Sequence, residues 1–314
     1  MAKKLLILIL TINLFAIENL TPDKIFKATG TVQSIIVDKN RLYAGTDNGT
    51  VEIFNINSNE KIQTIKLPDI KDFMGDTIPA KIYSIDLLND KILIVSQGMK
   101  GYRNIFLYEN GNLNKIIDIS KKYFIQKASF ISDETIVFGL LSNQIGVYNY
   151  KTKKLGYLIQ ISSSSFAHFM LDEEKTKIAA TDESGVVRVI NIENGQVVQQ
   201  PKALNLDKVY QLDFKQGVIL TAGQDRKSVV YKDYSSYSFD FDFLLYSCGL
   251  SPNAKLGAVA HNEKNEVLVF DIVSKKKLYN LKGQKATLTQ ILFKNEKEIF
   301  TSCDDPNINY FKLN

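Results

Sequence analysis

His168 and His261 are the only histidines in this chain of 314 residues, and they are the first place to look for chemistry. A general base or a metal ligand works only when other groups converge on it. His168 sits in Phe166-Ala167-His168-Phe169-Met170, and neither histidine belongs to a His-x-x-x-His spacing that would put two ligands on one helix face. Asp172-Glu173-Glu174 and Asp304-Asp305 are carboxylate clusters. Paired carboxylates do acid–base work when burial separates their pKa values. With Lys175 and Lys177 beside the first cluster, the clusters read as solvated turns.

Nucleophilic and cofactor chemistry find little support. Ser162–Ser165 lacks the Gly-x-Ser-x-Gly elbow that exposes a serine. No Cys-x-x-Cys-His haem site and no Gly-x-x-x-x-Gly-Lys phosphate loop occurs. Cys248 and Cys303 are the only cysteines, and they form either a disulfide or two separate buried thiols. The expectation is therefore a non-enzyme with no catalytic residue, no metal and no cofactor.

The elements that must carry these residues announce themselves by repetition. A short alternating strand ending in a large side chain recurs as VEIFNI, IFLYEN, IGVYNY, VRVINI, SVVYKD, VLVFDI and INYFKL. The anchors Phe54, Tyr108, Tyr148, Ile190, Tyr231, Phe270 and Phe311 lie 54, 40, 42, 41, 39 and 41 residues apart. Repeats of about 40–45 residues with four strands each describe propeller blades. The fold class is all-β, a seven-bladed β-propeller occupying residues 17–314 as a single domain.

Blade one shows the grammar. Its strands a to d are expected at Val32–Val37, Arg41–Thr46, Thr50–Ile56 and Lys61–Leu67, with Asp47-Asn48-Gly49 as the hairpin turn between b and c. The remaining blades are expected over about 81–119, 125–161, 166–203, 209–243, 246–283 and 288–313. The last ends after strand c. An open edge templates aggregation, and closure of the ring removes it. The stretch 23–30 (DKIFKATG) belongs to no other blade and is expected to supply the missing outer strand. In blade five, Tyr237, Phe239, Phe241 and Phe243 alternate with polar residues, so they share one sheet face, which is expected to pack on the next blade, the alternative being a ligand stripe.

Residues 1–16 stand apart. Lys3 and Lys4 precede an apolar run, and Ala16 offers a small residue for cleavage. These are the parts of a secretory signal peptide, with a buried first strand as the alternative. Export places the protein in the periplasm, with no membrane span after cleavage. Formal charge is +5 and falls to +3 without Lys3 and Lys4. Basic residues are spread along the chain and do not indicate a nucleic-acid partner.

These phrases resemble the WD-repeat and related seven-bladed propellers over nearly the whole chain. The usual Trp-Asp ending of strand c is replaced by Phe54-Asn55, Tyr148-Asn149 and Phe270-Asp271, and the chain has no tryptophan. With these departures, the expected stabilisers are apolar packing between sheets and turn Asp and Asn residues. The leader, the length, the degenerate repeats and phrases such as AGTDNGTVEIFNI and TAGQDRKSVVYKD also resemble the NapL type. Those are accessory proteins of periplasmic nitrate reductases in epsilon-proteobacteria. That resemblance implies a non-catalytic scaffold supporting a molybdenum reductase, its maturation machinery or its electron-transfer components.

One irregularity converges on a binding surface. The first repeat interval is about 13 residues longer than the others, and the excess lies at Pro68–Ala80. The b–c turn of blade two, Gln97–Arg103, is also unusual. In a propeller the d–a and b–c connections open on the same rim. Loops on a rigid scaffold concentrate binding residues. Phe73, Met74, Tyr102 and Arg103 are the expected partner-binding set, the alternative being a tolerated surface insertion. The competing reading is a propeller hydrolase or lactonase using His168, Asp225 and Arg226 in the axial funnel.

Overall fold

The computed structural model describes residues 17–233 and 235–314, so the leader assigned to residues 1–16 lies outside the described residues. Seven antiparallel sheets follow one another around an axis, six of four strands and one of five, with a two-stranded hairpin inserted after the first. Blade one runs through Val32–Asp38, Arg41–Thr46, Thr50–Asn55 and Lys61–Lys66, within a residue of expectation at every end.

Burial is greatest in the middle strands b and c, with the innermost strands partly open where they face the axis and the outer strands mostly exposed. Strand b of each blade is covered on both faces, so it reads as a nearly continuous apolar run, as in Ile92-Leu93-Ile94-Val95. Outer strands have only one neighbour, and Lys61–Lys66 leaves all but Ile65 exposed. The core is divided among seven apolar clusters, each straddling one seam between adjacent blades. The blade-five aromatics follow this rule. Tyr237, Phe239 and Phe241 pack against the blade-six cluster, with Phe239 at 4.6 Å from Phe270.

Ring closure follows the expected route. Lys24–Lys27 pairs antiparallel with Asn307–Lys312, in the register Lys24 with Tyr310 and Phe26 with Ile308. Phe26 is 1% exposed and lies between Phe54 of blade one and Phe300 of blade seven, at 5.8 and 6.0 Å. Thr29 then donates its backbone N–H to Glu52 of blade one at 3.0 Å. Burial alone raises the Glu52 pKa, but hydrogen bonds from Thr29 and Lys61 outweigh it and hold the carboxyl below its ordinary value. A second contact has no sequence precursor. Glu18–Leu20 runs parallel to the outer strand of blade six, Lys277–Leu281, and makes it five-stranded.

The turn acids do more than cap hairpins. Asp47 accepts the Thr31 N–H at 2.8 Å. Asp182 accepts from Ser162, Asn143 and Arg188 at 2.6, 3.0 and 2.9 Å. Asp225 accepts from the Leu206 N–H and the Asn205 amide at 2.8 and 3.0 Å. Each b–c turn is thereby tied to a neighbouring d–a connection, and a polar network joins the apolar seams. Cys248 and Cys303 are separate buried thiols, and burial pushes both pKa values up.

Phe26→Ala opens a large cavity in the closing seam and is expected to cost about 3–5 kcal/mol. Ile25→Ala on the same strand, 47% exposed, is expected to cost under about 1 kcal/mol. Urea unfolding of both variants checks this; equal costs would mean the strand does not close the ring.

Candidate functional site

The candidate residues fall in two regions, the axial channel and the rim. The channel is built from the seven innermost strands, and its lining is decided by a shared backbone irregularity. In six of them a β-bulge follows the first residue, leaving Gln33, Tyr83, Gln126, Ala167, Tyr210 and Thr289 unpaired. The bulge resets the side-chain alternation by one residue. Residues before it, such as Val32, Ile82 and Ile125, are buried in the seams, and so are Ile35, Ile85 and Ala128 three positions later. The positions between and beyond face the axis.

Among the lining residues are Ser34, Ser84, Lys127, His168, Gln211 and Gln290, from blades one to five and seven. Several of them clamp one blade to the next. Ser34 accepts the Ile85 N–H, Ser84 the Ala128 N–H and His168 Nδ1 the Leu212 N–H, each at 3.4 Å. Gln290 accepts the Ile35 N–H at 2.9 Å and so joins the last blade to the first. One layer along, Asp86 accepts from Phe130 at 2.6 Å and Asp213 from Leu250 at 2.8 Å. The channel encloses about 660 Å³.

Its chemistry centres on blades three and four. Lys127 Nζ lies 2.9 Å from His168 Nε2 and 3.2 Å from Met170 Sδ. Burial brings the Lys127 pKa down to about 8, with the Lys215 charge adding to this and the Asp86 and Asp213 carboxylates opposing it. Burial also drives the His168 pKa well below its ordinary value, with the Lys127 charge as a smaller cause. Asp86 is raised by burial, against hydrogen bonding from Phe130 and the charges of Lys175 and Lys127.

The other enzyme candidates are elsewhere. Asp225 is committed to Asn205 and Leu206 in the b–c turn of blade five, and Arg226 sits in that same turn, so the trio with His168 does not assemble. His261 faces Asn280 at 2.9 Å on blade six. Asp172 holds its own turn, accepting from Thr176 and Lys177. Among the described residues, no group of three or more His, Cys, Asp or Glu side chains is placed to hold a metal ion.

On the rim, Pro68–Ala80 folds into a small hairpin, Ile70–Lys71 against Thr77–Ile78. It lifts Phe73 to 100% exposure and Met74 to 79%. The hairpin's base is packed on the b–c turn of blade one. Gly49, at φ +77°, lies so close to Ala80 that a Cβ there would sit 3.1 Å from the Ala80 nitrogen. Tyr102 and Arg103 are half-buried and already engaged. The Tyr102 ring lies 4.8 Å from Phe124, beyond blade two, and the Arg103 guanidinium lies 3.8 Å over Tyr83. Arg103 also donates to the Gly101 carbonyl at 2.7 Å, and burial lowers its pKa. The b–c turn of blade two therefore packs on the loop that follows that blade. Beside it a shallow basin is lined by Met99, Lys100, Tyr102, Lys115, Ile119 and Lys122. Sequence reasoning missed Phe124 and Ile119, which lie in an ordinary-length connection.

No family model matches the chain, and no curated protein matches it. Solved structures do match. One is the β-propeller domain of Cps50 (Swd1) from Myceliophteria thermophila, with a TM-score of 0.75 and 11% identity over 93% of this chain and 99% of that one. At that identity the likeness establishes the seven-bladed fold. Among the described residues, no helix is long and apolar enough to cross a membrane.

The Lys127 charge gives a signed pH prediction. Its folded pKa, about 8, lies below its ordinary value of 10.5. The unfolded chain therefore holds more protons between those values, and this residue's contribution to stability rises with pH across that window. Below pH 8 the penalty is complete. Lys127→Met is expected to gain roughly 1–3 kcal/mol at pH 7 and to lose that gain by about pH 10.5. Paired urea titrations at both pH values check the difference; a gain that does not change with pH would contradict it.

Proposed function

We propose that this propeller is an exported, non-catalytic scaffold that binds a protein partner through the rim over blades one and two. The single observation that carries the reading is the hairpin 70–78, which holds Phe73 and Met74 out in solvent on a rigid ring. A fully exposed aromatic has no folding role, whereas aromatic anchors and adaptable Met side chains suit an interface. The basin beside the b–c turn of blade two combines apolar Tyr102 and Ile119 with the cations Lys100, Lys115 and Lys122 against the single carboxylate of Asp118. A partner presenting an apolar knob flanked by acidic groups fits that chemistry. Tyr102 and Arg103 act here from positions held by Phe124 and Tyr83.

The cellular setting rests on sequence. The leader-like residues 1–16 support a periplasmic location, and the resemblance to NapL-type proteins supports an accessory role for a periplasmic nitrate reductase system. In that role the partner is a molybdenum reductase or one of its maturation or electron-transfer components, and the propeller itself holds no metal.

The test is capture from periplasmic extract by the tagged full chain, with partners read by mass spectrometry. Replacing Phe73 and Met74 with Ser is expected to weaken capture roughly ten- to thirtyfold, equivalent to about 1.4–2 kcal/mol, while the melting temperature stays unchanged. Undiminished capture removes the rim from the interface. Recovery of partners unrelated to nitrate reduction keeps the scaffold and removes the accessory role.

A further inference from the structure

The axial channel presents a combination that the scaffold reading does not use, an amine and an imidazole in direct contact on its wall. The hydrogen-bond geometry decides where their protons are. The Leu212 backbone N–H is a donor that cannot reverse, and it points at His168 Nδ1 at 3.4 Å. Nδ1 must therefore carry a lone pair. A neutral imidazole holds one ring proton, which is then on Nε2. That Nε2–H faces Lys127 Nζ at 2.9 Å. An ammonium has no lone pair with which to accept it, so the contact belongs to the free-amine form, which Lys127 takes above its pKa of about 8. A free amine still has two hydrogens, and one reaches Met170 Sδ at 3.2 Å.

The surroundings agree with this assignment. Asp86 from blade two, His168 from blade four and Asp213 and Lys215 from blade five are the titratable groups around the amine, with Lys175 acting on Asp86 from the blade-four turn. Both carboxylates are already engaged as acceptors of backbone N–H groups from the next blade. Burial lowers the basicity of the amine in the same direction as the hydrogen-bond argument.

We propose that Lys127 is a nucleophilic amine that takes small uncharged aldehydes in the axial channel as reversible Schiff bases. Lysines desolvated in this way are the ones that do carbonyl chemistry. The Lys127 lone pair attacks the carbonyl carbon, a C–N bond forms and the carbonyl π bond becomes an alkoxide. His168 Nε2–H, released from its contact with that lone pair, faces the alkoxide as a hydrogen-bond donor. The two amine hydrogens leave with the carbonyl oxygen as water, and the C–O bond breaks to give the imine. No oxidant or reductant is consumed. The channel's 660 Å³ admits a molecule of this size without moving a blade.

The experiment uses the full chain with acetaldehyde, trapped by cyanoborohydride and mapped peptide by peptide. At pH 7.5, Lys127 is expected to be alkylated at least tenfold faster than exposed lysines such as Lys151, with a rate–pH midpoint near 8 instead of above 10. His168→Gln, which lacks the ring donor, is expected to raise that midpoint and slow Lys127 alone. Lys127→Arg abolishes the adduct at this site. Because the wild-type map compares lysines within one molecule, the result holds even if a variant fails to fold. Labelling of Lys127 no faster than Lys151, or a midpoint above 10, overturns the proposal. Loss of partner capture by the rim variant has no bearing on this outcome, so the two readings fail separately.

Discussion

Four residues near the amino terminus hold the whole ring in register. Lys24–Lys27 completes a sheet whose other three strands come from the opposite end of the chain. Without it, the strand Asn307–Lys312 keeps one bare edge and the seam around Phe26 loses its central ring. A propeller seam is shared by two blades, so each blade is stable only while both its neighbours are in place. The pairing therefore acts on seams that it does not touch. Leu20, packed on the seam between blades six and seven, extends the same closure by one blade.

Closure also explains the channel. Seven sheets brought around an axis turn their innermost strands toward one another, and the space between them is too narrow for large apolar side chains at every position. The bulge in those strands puts small or hydrogen-bonding residues there. Ser34, Ser84, His168 and Gln290 use their acceptors to bind the next blade's backbone. Lys127 breaks the pattern because its amine turns to a neighbouring side chain instead of to the next blade's backbone. Its contact with His168 is the local consequence, and its reactivity follows from where the ring leaves it.

The rim obeys a different constraint. Its loops are not needed for the seams, so they vary in length and side chain. The hairpin after blade one is supported at its base and free at its tip. The b–c turn of blade two is held by the tilted ring contact of Tyr102 with Phe124 and by the Arg103 guanidinium lying over Tyr83. A surface of this kind is rigid where it joins the ring and accessible where a partner would meet it.

Much of this was legible in the residues themselves. Alternation with a repeat near 41 residues dictates strands and their number, because side chains on a strand must alternate and each blade must offer two apolar faces. The unmatched strand at one end and the incomplete blade at the other imply each other. The short parallel strand Glu18–Leu20 was not legible, since three residues carry no periodicity. The proximity of Lys127 to His168 was not legible either, because they are 41 residues apart and meet only when bulged strands in adjacent blades turn inward. Local pattern sets which elements form. Which side chains from different elements share a proton depends on how the closed ring rotates each strand about its own axis, and that is a property of the assembled blades alone.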